Sequence, residues 1–445
     1  MSPATPPRHV VVLVLGDVGR SPRMQYHAVS LSKMPNTKVT LVGYEGERCV
    51  PQLLAQPNIH LRTFAPVKVS RSLFVLSGPL KVLIQLCQLF WILLFTLGSI
   101  DVLMVQNPPT IPTLCVAWLT CKLKRAKFVI DWHNFGYTVL ALSIGESHAF
   151  VKIATTVERV FGQLADANFC VTKAMQGWLQ NHWRIHATVL YDKPPEFFKP
   201  ASIAEKHELF TRLADQLPAP WVVPSGNTTK PPKPMDTNAT LLTTEIHSAV
   251  HDRLDRPAVL ISSTSWTEDE DFGLLFRALV LLDARIVDDP AYPDVLVVVT
   301  GKGPQKAMYL KKIQDMQLVR VHITTIWLEA ADYPIMLGSA DVGICLHTST
   351  SGLDLPMKVL DMFGCQVPVC AVKFACLHEL VRHNENGMVF EDSVELCDQL
   401  QSLLIGFPKS EKLDLLRQSL ESVEHWPSNW NQHALPVFQR LLERA

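Results

Sequence analysis

The groups best able to hold an anion lie between His347 and Val372, in the stretch HTSTSGLDLPMKVLDMFGCQVPVCAV. Gly343–Leu346 reads as a short buried strand and His347–Gly352 as a polar loop. A helix closed by Gly364 follows, and Pro368–Val372 is the next strand. A polar loop feeding a helix N-terminus offers free backbone N–H groups and the positive end of the helix dipole. Ser351 and Gly352 present the loop's donors. Lys358 adds positive charge in the first turns, and Asp361, one turn on, is placed to accept hydrogen bonds from a ribose diol. Together they suit a nucleoside diphosphate. The same residues also fit an ordinary strand–loop–helix unit with a surface Lys and Asp.

Other loops carry groups of the same kind. Gly16-Asp17-Val18-Gly19-Arg20-Ser21-Pro22-Arg23 follows the first strand. Its glycines let a ligand approach the backbone closely. Arg20 and Arg23 can grip a diphosphate through forked hydrogen bonds, and Asp17 can act as a base. The segment is not GxGxxG, so a dinucleotide fingerprint is absent, and a plain turn is the alternative. His133, in Asp131-Trp132-His133-Asn134, can be a general base or a donor to phosphate, although a lone histidine is more often structural. Ser262–Phe272 holds hydroxyls, Ser265 among them, that can bind phosphate oxygens. The acidic run that follows, Glu268 to Asp271, suits a helix N-terminus simply as a capping, solvated stretch. The functional alternative gives Glu268 a catalytic or substrate-orienting role. Gly301 and Gly303, in Thr300–Pro304, form a glycine turn on the nucleotide side or a plain strand-to-helix turn. Trp327 either flanks a base or packs.

An alternating pattern of strands and helices must position these loops. Strands are expected at Val10–Leu15, Lys38–Val42, Ile59–Phe64, Val102–Gln106, Phe128–Asp131, Asn168–Val171 and Thr188–Tyr191, with helices between most of them. Ser21-Pro22 is a good helix start. A second set begins at Ala258–Ser262 and recurs at Val295–Thr300, Val321–Thr325, Asp341–Leu346 and Pro368–Val372. Such alternation means parallel sheets with helices on both faces. The fold class expected is α/β, with two doubly wound Rossmann-like domains facing a cleft. Residues 1–200 make the first domain and 257–425 the second. Residues 201–256, rich in Pro, Ser and Thr, read as a helical start and then a flexible linker. Residues 426–445 are expected to form a C-terminal helix that packs back on the first domain.

Composition narrows the function. The 445 residues carry a formal net charge of -1, so no global field draws the chain to nucleic acid, and no recognition motif for it is present. Ten cysteines are scattered without a CxxC pair, which points to core packing in a reducing compartment. The apolar run near the N-terminus is too short for a signal peptide and ends as a first Rossmann strand would. Val82–Ile100 holds nineteen residues without a charge, long enough to span a bilayer. One crossing would put strands of a single sheet on opposite sides of the membrane. A helix lying in the interface, with Ser70–Leu80 as its partner, keeps the sheet intact. Lys122, Lys124, Arg125 and Lys127 form a basic cluster suited to anionic head groups or a lipid diphosphate. The alternative is a buried helix beside a solvated basic turn.

The blocks GDVGRSPRMQYHA, IDWHN, VLYDKPPEFF, SSTSWTEDEDF, GKGP, LEAADYPIMLGSADVGICLHTSTSGLDLPMKVLDMFGCQVPV and LHELVRHNENGMVFED occur in this order. Together they resemble the chitobiosyldiphosphodolichol beta-mannosyltransferase family over nearly the whole chain except the linker. The resemblance implies a GT-B glycosyltransferase that passes mannose from GDP-mannose to GlcNAc2-diphosphodolichol. The linkage made is β-1,4, the first mannosylation of the lipid-linked N-glycan precursor. It places the enzyme at the endoplasmic reticulum membrane with its catalytic domains on the cytosolic face. It implies membrane lipid as a contact and admits other dolichol-pathway mannosyltransferases as partners. Retaining relatives of this fold carry Glu-x7-Glu; here the second position is Asp361 and the first is Leu353, beside Asp354. That departure favours an inverting displacement, with Asp17, His133 or Glu268 as the base. Phosphate binding then rests on Arg20, Arg23, Lys358 and backbone amides. No clean metal-ligand triad is visible, though acidic groups around Glu268 can hold Mg²⁺ at the diphosphate. Two rivals stand beside this reading: a non-catalytic membrane scaffold subunit, and a retaining transferase using another sugar nucleotide.

Overall fold

The computed structural model describes residues 6–66, 74–217, 239–267, 270–349 and 351–443. They fall into two compact units, one made of Met1–Asp192 with Trp426–Ala445, the other of Lys193–His425.

The first unit is built on seven parallel strands: β1 (Arg8–Asp17), β2 (Thr37–Tyr44), β3 (Ile59–Phe64), β4 (Val102–Asn107), β5 (Lys127–Trp132), β6 (Ala167–Cys170) and β7 (Thr188–Val189). Their order is β3-β2-β1-β4-β5-β6-β7. β1 is buried from His9 to Leu15 because helices cover both faces, which is why Val10–Leu15 is an unbroken apolar run. Helix Pro22–Ser32 starts on proline and lies against helix Trp426–His433. Trp426 Nε1 donates to Ser30 Oγ at 3.0 Å and Trp430 Nε1 to His27 Nδ1 at 3.1 Å. These indoles bury their rings while satisfying their one donor.

The second unit opens with material expected to be linker. Helix Ile203–Arg212 is closed at its start by a Ser202–Glu205 capping box. An antiparallel hairpin of β8 (Thr243–Ile246) and β9 (Ala249–Asp252) follows later. Leu209, Phe210, Leu213, Leu241 and Leu242 join one core with Val259 and Ile261. The helical start is thus where the sequence put it, and the flexible-linker expectation is corrected for residues 239–256. Residues 218–238, its proline-rich part, lie outside the described residues. Six parallel strands form the main sheet: β10 (Ala258–Ser263), β11 (Val295–Thr300), β12 (Val321–Ile326), β13 (Val342–Cys345), β14 (Val369–Val372) and β15 (Gly387–Phe390). The order is β12-β11-β10-β13-β14-β15. In both sheets the direction of winding reverses beside the first strand, at β1/β4 and at β10/β13.

Most of the uncharged segment lies in an α-helix of 17 residues, Phe74–Phe90, followed by a separate π-helical stretch of 6 residues, Trp91–Thr96. Its expected partner, Ser70–Leu80, supplies from Phe74 onward the first turns of helix Phe74–Phe90; residues 70–73 lie outside the described residues. Among the described residues no helix is long and apolar enough to cross a membrane.

Candidate functional site

Open parallel sheets gather ligands outside the carboxyl ends of their strands, where the strand order reverses. In the second unit that point lies between β10 and β13. The loops that follow these strands are tied together there by an antiparallel bridge between Glu270 and His347. Glu270 is the centre of the arrangement and only 3 % exposed. One carboxylate oxygen accepts from the Thr264 hydroxyl and, at 3.0 Å, from Ser265 N. The other receives the Lys358 ammonium. Lys358 is 27 % exposed. An ammonium has three protons, so donors remain for a ligand.

Two glycines let the neighbouring loop close on this one. A Cβ on Gly301, whose φ is +149°, would lie 1.8 Å from Thr264 O, and one on Gly303 would lie 1.7 Å from Ser265 O. Ser265, Gly301 and Gly303 are thus brought together with Glu270, and the glycines are required by loop-on-loop packing. In the loop after β13, Asp354 accepts from the hydroxyls of Ser349 and, at 3.2 Å, Ser351. Gly352 turns the chain at φ +72°. Helix Met357–Gly364 then carries Lys358 and Asp361. Burial first, then the charge of Asp361, raises the Tyr333 phenol above its ordinary range, and its hydroxyl donates to Ser263 Oγ at 3.0 Å. At the end of β12, Trp327 is half exposed with Lys302 Nζ 3.6 Å from its ring centre.

The first unit has a different centre. Asp131, at the end of β5, is fully buried and accepts both prongs of the Arg23 guanidinium, at 2.7 Å from Nε and 2.8 Å from Nη2. Arg23 Nη1 also donates to Leu190 O and to Asp192, each at 2.9 Å. His133 Nε2 lies 2.8 Å from Asp131 Oδ2, and His27 Nε2 lies 3.3 Å from the same atom. Burial alone would raise the Asp131 carboxyl, but the charge of Arg23 and the hydrogen bonds from Arg23 and His133 outweigh it and hold it well below the carboxylate range. Burial pushes His27 down, so it is a neutral core histidine. His133, 22 % exposed, is the member of the cluster that reaches the surface.

Of the residues expected near a diphosphate, Arg23 needs correction. At 2 % exposure, with its donors taken by Asp131, Leu190 and Asp192, it is a buried strut and not a ligand group. Asp17 holds its own loop, accepting from Gly19 N at 2.9 Å and Glu47 N at 3.0 Å. Arg20 is largely exposed and pairs with Glu47 at 3.3 Å. Glu268 lies outside the described residues. Of the run's described members, Glu270 and Asp271, it is Glu270 that turns inward, and its sequence hint is its place just before a helix. Asp131 was visible only as the residue ahead of Trp132-His133. The basic cluster is divided. Lys124 closes the stretch Trp91–Thr96 by donating to Leu97 O at 2.7 Å and Gly98 O at 2.6 Å, and Lys127 pairs with Asp166 at 3.2 Å. Lys122 and Arg125 stay exposed.

Two doubly wound units of this order, with an anion-suited switch point in the second, define a GT-B glycosyltransferase. A family profile described as "Glycosyl transferases group 1" matches residues 256–405. Solved structures agree in fold. Anabaena HepE, crystallised in complex with UDP and glucose, is 15 % identical, covers 98 % of each chain and aligns with a TM-score of 0.60. Sucrose-phosphate synthase from Thermosynechococcus elongatus is 12 % identical, covers 98 % of this chain and 100 % of that one, and gives 0.63. The chain belongs to the chitobiosyldiphosphodolichol beta-mannosyltransferase family. The human enzyme of that name is 44 % identical over 97 % of this chain and 92 % of its own. An Arabidopsis thaliana relative, 42 % identical over 97 % of both chains, is named UDP-glycosyltransferase TURAN.

Proposed function

We propose that the protein transfers mannose from GDP-mannose to GlcNAc2-diphosphodolichol with inversion, forming a β-1,4 bond on the cytosolic face of the endoplasmic reticulum membrane. The observation that carries the reading is the Glu270–Lys358 pair at the second switch point, with Asp361 one turn further along the same helix. Lys358 and the free amides at the helix start are suited to the two phosphates, Asp361 to the ribose, and the Trp327 face to the purine. Of the bases the sequence offers, His133 is the one proposed to take the acceptor proton. Asp131 engages its Nε2, leaving Nδ1 as the nitrogen that accepts.

The step balances as a single displacement. The acceptor's O4–H bond breaks and its proton goes to His133. O4 bonds to the anomeric carbon as the bond to GDP breaks, and the electron pair leaves on the diphosphate. Negative charge therefore grows on the diphosphate, which Lys358 and the helix dipole are suited to stabilise. Of the acidic groups around Glu268 expected to hold Mg²⁺, Glu268 and Asp269 lie outside the described residues, Glu270 is paired with Lys358 and Asp271 caps a helix. Among the described residues no group of three His, Cys, Asp or Glu could hold a metal ion.

The test is incubation of purified protein with GDP-mannose and a phytanyl-linked GlcNAc2 diphosphate. Mannosylated product supports the reading; a folded protein that binds GDP and makes none contradicts it in favour of a scaffold role. The name of the Arabidopsis relative supports a second reading, transfer from a UDP-sugar. Titration with GDP and with UDP separates the two, and GDP is expected to bind more tightly.

A further inference from the structure

Helix Gly136–Ile144, sequence GYTVLALSI, has no charge and not one buried residue, although it is strongly apolar. A nine-residue helix is too short to persist in water on its own propensity. Its first turn is anchored: the buried Glu158 carboxylate accepts from Gly136 N at 2.7 Å and Tyr137 N at 3.4 Å. Beyond that turn Val139, Leu142 and Ile144 stand in the open, Leu142 at 70 % exposure. Packed beside it, helix Ala149–Leu164 turns Phe150, Ile153, Val160 and Leu164 outward.

These side chains do not stand alone. Helix Thr113–Lys124 packs against both Ala149–Leu164 and helix Phe74–Phe90, and exposes Leu119 and Leu123. Helix Phe74–Phe90 and the stretch after it expose Leu80, Leu83, Ile84, Cys87, Trp91 and Phe95. Their spacing of three or four residues makes one stripe, so the side turned from the core is the apolar one. All four helices belong to crossovers from β3 through β6, which right-handed connection puts on one face of the sheet. Along them Lys81, Lys122, Lys152 and Arg159 are exposed, whereas their one carboxylate, Glu158, is buried.

We propose that helices Gly136–Ile144 and Ala149–Leu164 dock on the surface of an anionic phospholipid bilayer, extending the lipid contact expected of helix Phe74–Phe90. Apolar residues enter the acyl boundary, Trp91 suits the interface, and the exposed cations meet anionic head groups. A second copy is disfavoured, because a two-fold contact would set these cations against their own images. The docking joins the proposed reaction through Glu158. Its carboxylate also accepts from Asn107 Nδ2 at 2.6 Å and Thr110 Oγ1 at 2.8 Å, and Gly136 follows His133 by three residues. The membrane-seated helix thus holds the loop that presents His133 to a lipid-tethered acceptor. That last link rests on the transfer reading; the docking does not.

Flotation of the full chain with vesicles tests it. Wild type is expected to float with phosphatidylcholine vesicles containing phosphatidylserine, less with phosphatidylcholine alone, and less again at about 0.5 M salt. Leu142→Glu with Ile153→Glu should lower binding by about tenfold or more, with an unchanged melting curve and unchanged GDP binding. Leu254→Glu, at a leucine 81 % exposed in the second unit, should change nothing. Flotation of the double variant like wild type overturns the proposal. So does a dimer in sedimentation that the double variant converts to monomer. Intact flotation without transfer to the phytanyl acceptor would defeat the transfer reading and leave docking standing.

Discussion

Each unit places a buried carboxylate near its switch point and sets a cation on it, yet the two pairs are built differently. In the first, Asp131 and Arg23 are both sealed inside, at 0 % and 2 % exposure. The guanidinium also takes a carbonyl and a second carboxylate. In the second, Glu270 is buried but Lys358 reaches solvent. A planar fork with every donor used is a strut. A point charge with protons to spare can turn to a ligand. The first pair therefore stiffens a histidine, and the second keeps a cation ready for phosphate.

The comparison breaks first at Arg23. Arg23→Met leaves Asp131 buried without its cation and should cost about 3–5 kcal/mol, read from urea unfolding. A variant as stable as wild type would end the strut assignment. His133→Ala should lower kcat by about 10²–10⁴ while calorimetry with GDP stays unchanged; loss of GDP affinity would move His133 to the donor. Lys358→Met should weaken GDP by about ten- to a hundredfold, the worth of one charged hydrogen bond at about 1.5–3 kcal/mol. It should destabilise less than Arg23→Met, since Glu270 keeps Thr264 and Ser265. Equal destabilisation would erase the distinction between the two pairs.

The smallest effect is on pH. His27 is depressed below 6.5 by burial. Below pH 6.5 the unfolded chain therefore binds a proton that the folded chain refuses, and stability should fall as pH drops through that range. Asp131, also depressed, adds a further loss below the ordinary carboxylate range. Wild type should melt lower at pH 5.5 than at 7.5, and His27→Gln should narrow the gap. An unchanged gap would mean that His27 is not held neutral.

Much of the fold was legible because parallel strands buried on both faces must be continuous apolar runs, as at residues 10–15 and 295–299. The strand Gly387–Phe390 was missed, being four residues long and preceded by polar turns. The hairpin of β8 and β9 was missed because its residues are mostly polar. At the candidate site, Lys358 and Asp361 were legible because strand, loop and helix are contiguous. Arg23 misled because its partner lies 108 residues away, and local spacing cannot show a pair of that range. Nor can a run of four acids say which one the chain turns inward.

The most direct test of the account is the anomeric configuration of the sugar made from GDP-mannose and the phytanyl GlcNAc2 diphosphate. Proton and carbon NMR of the product should show a β-mannosyl linkage at O4. An α-linked mannose would contradict the single displacement.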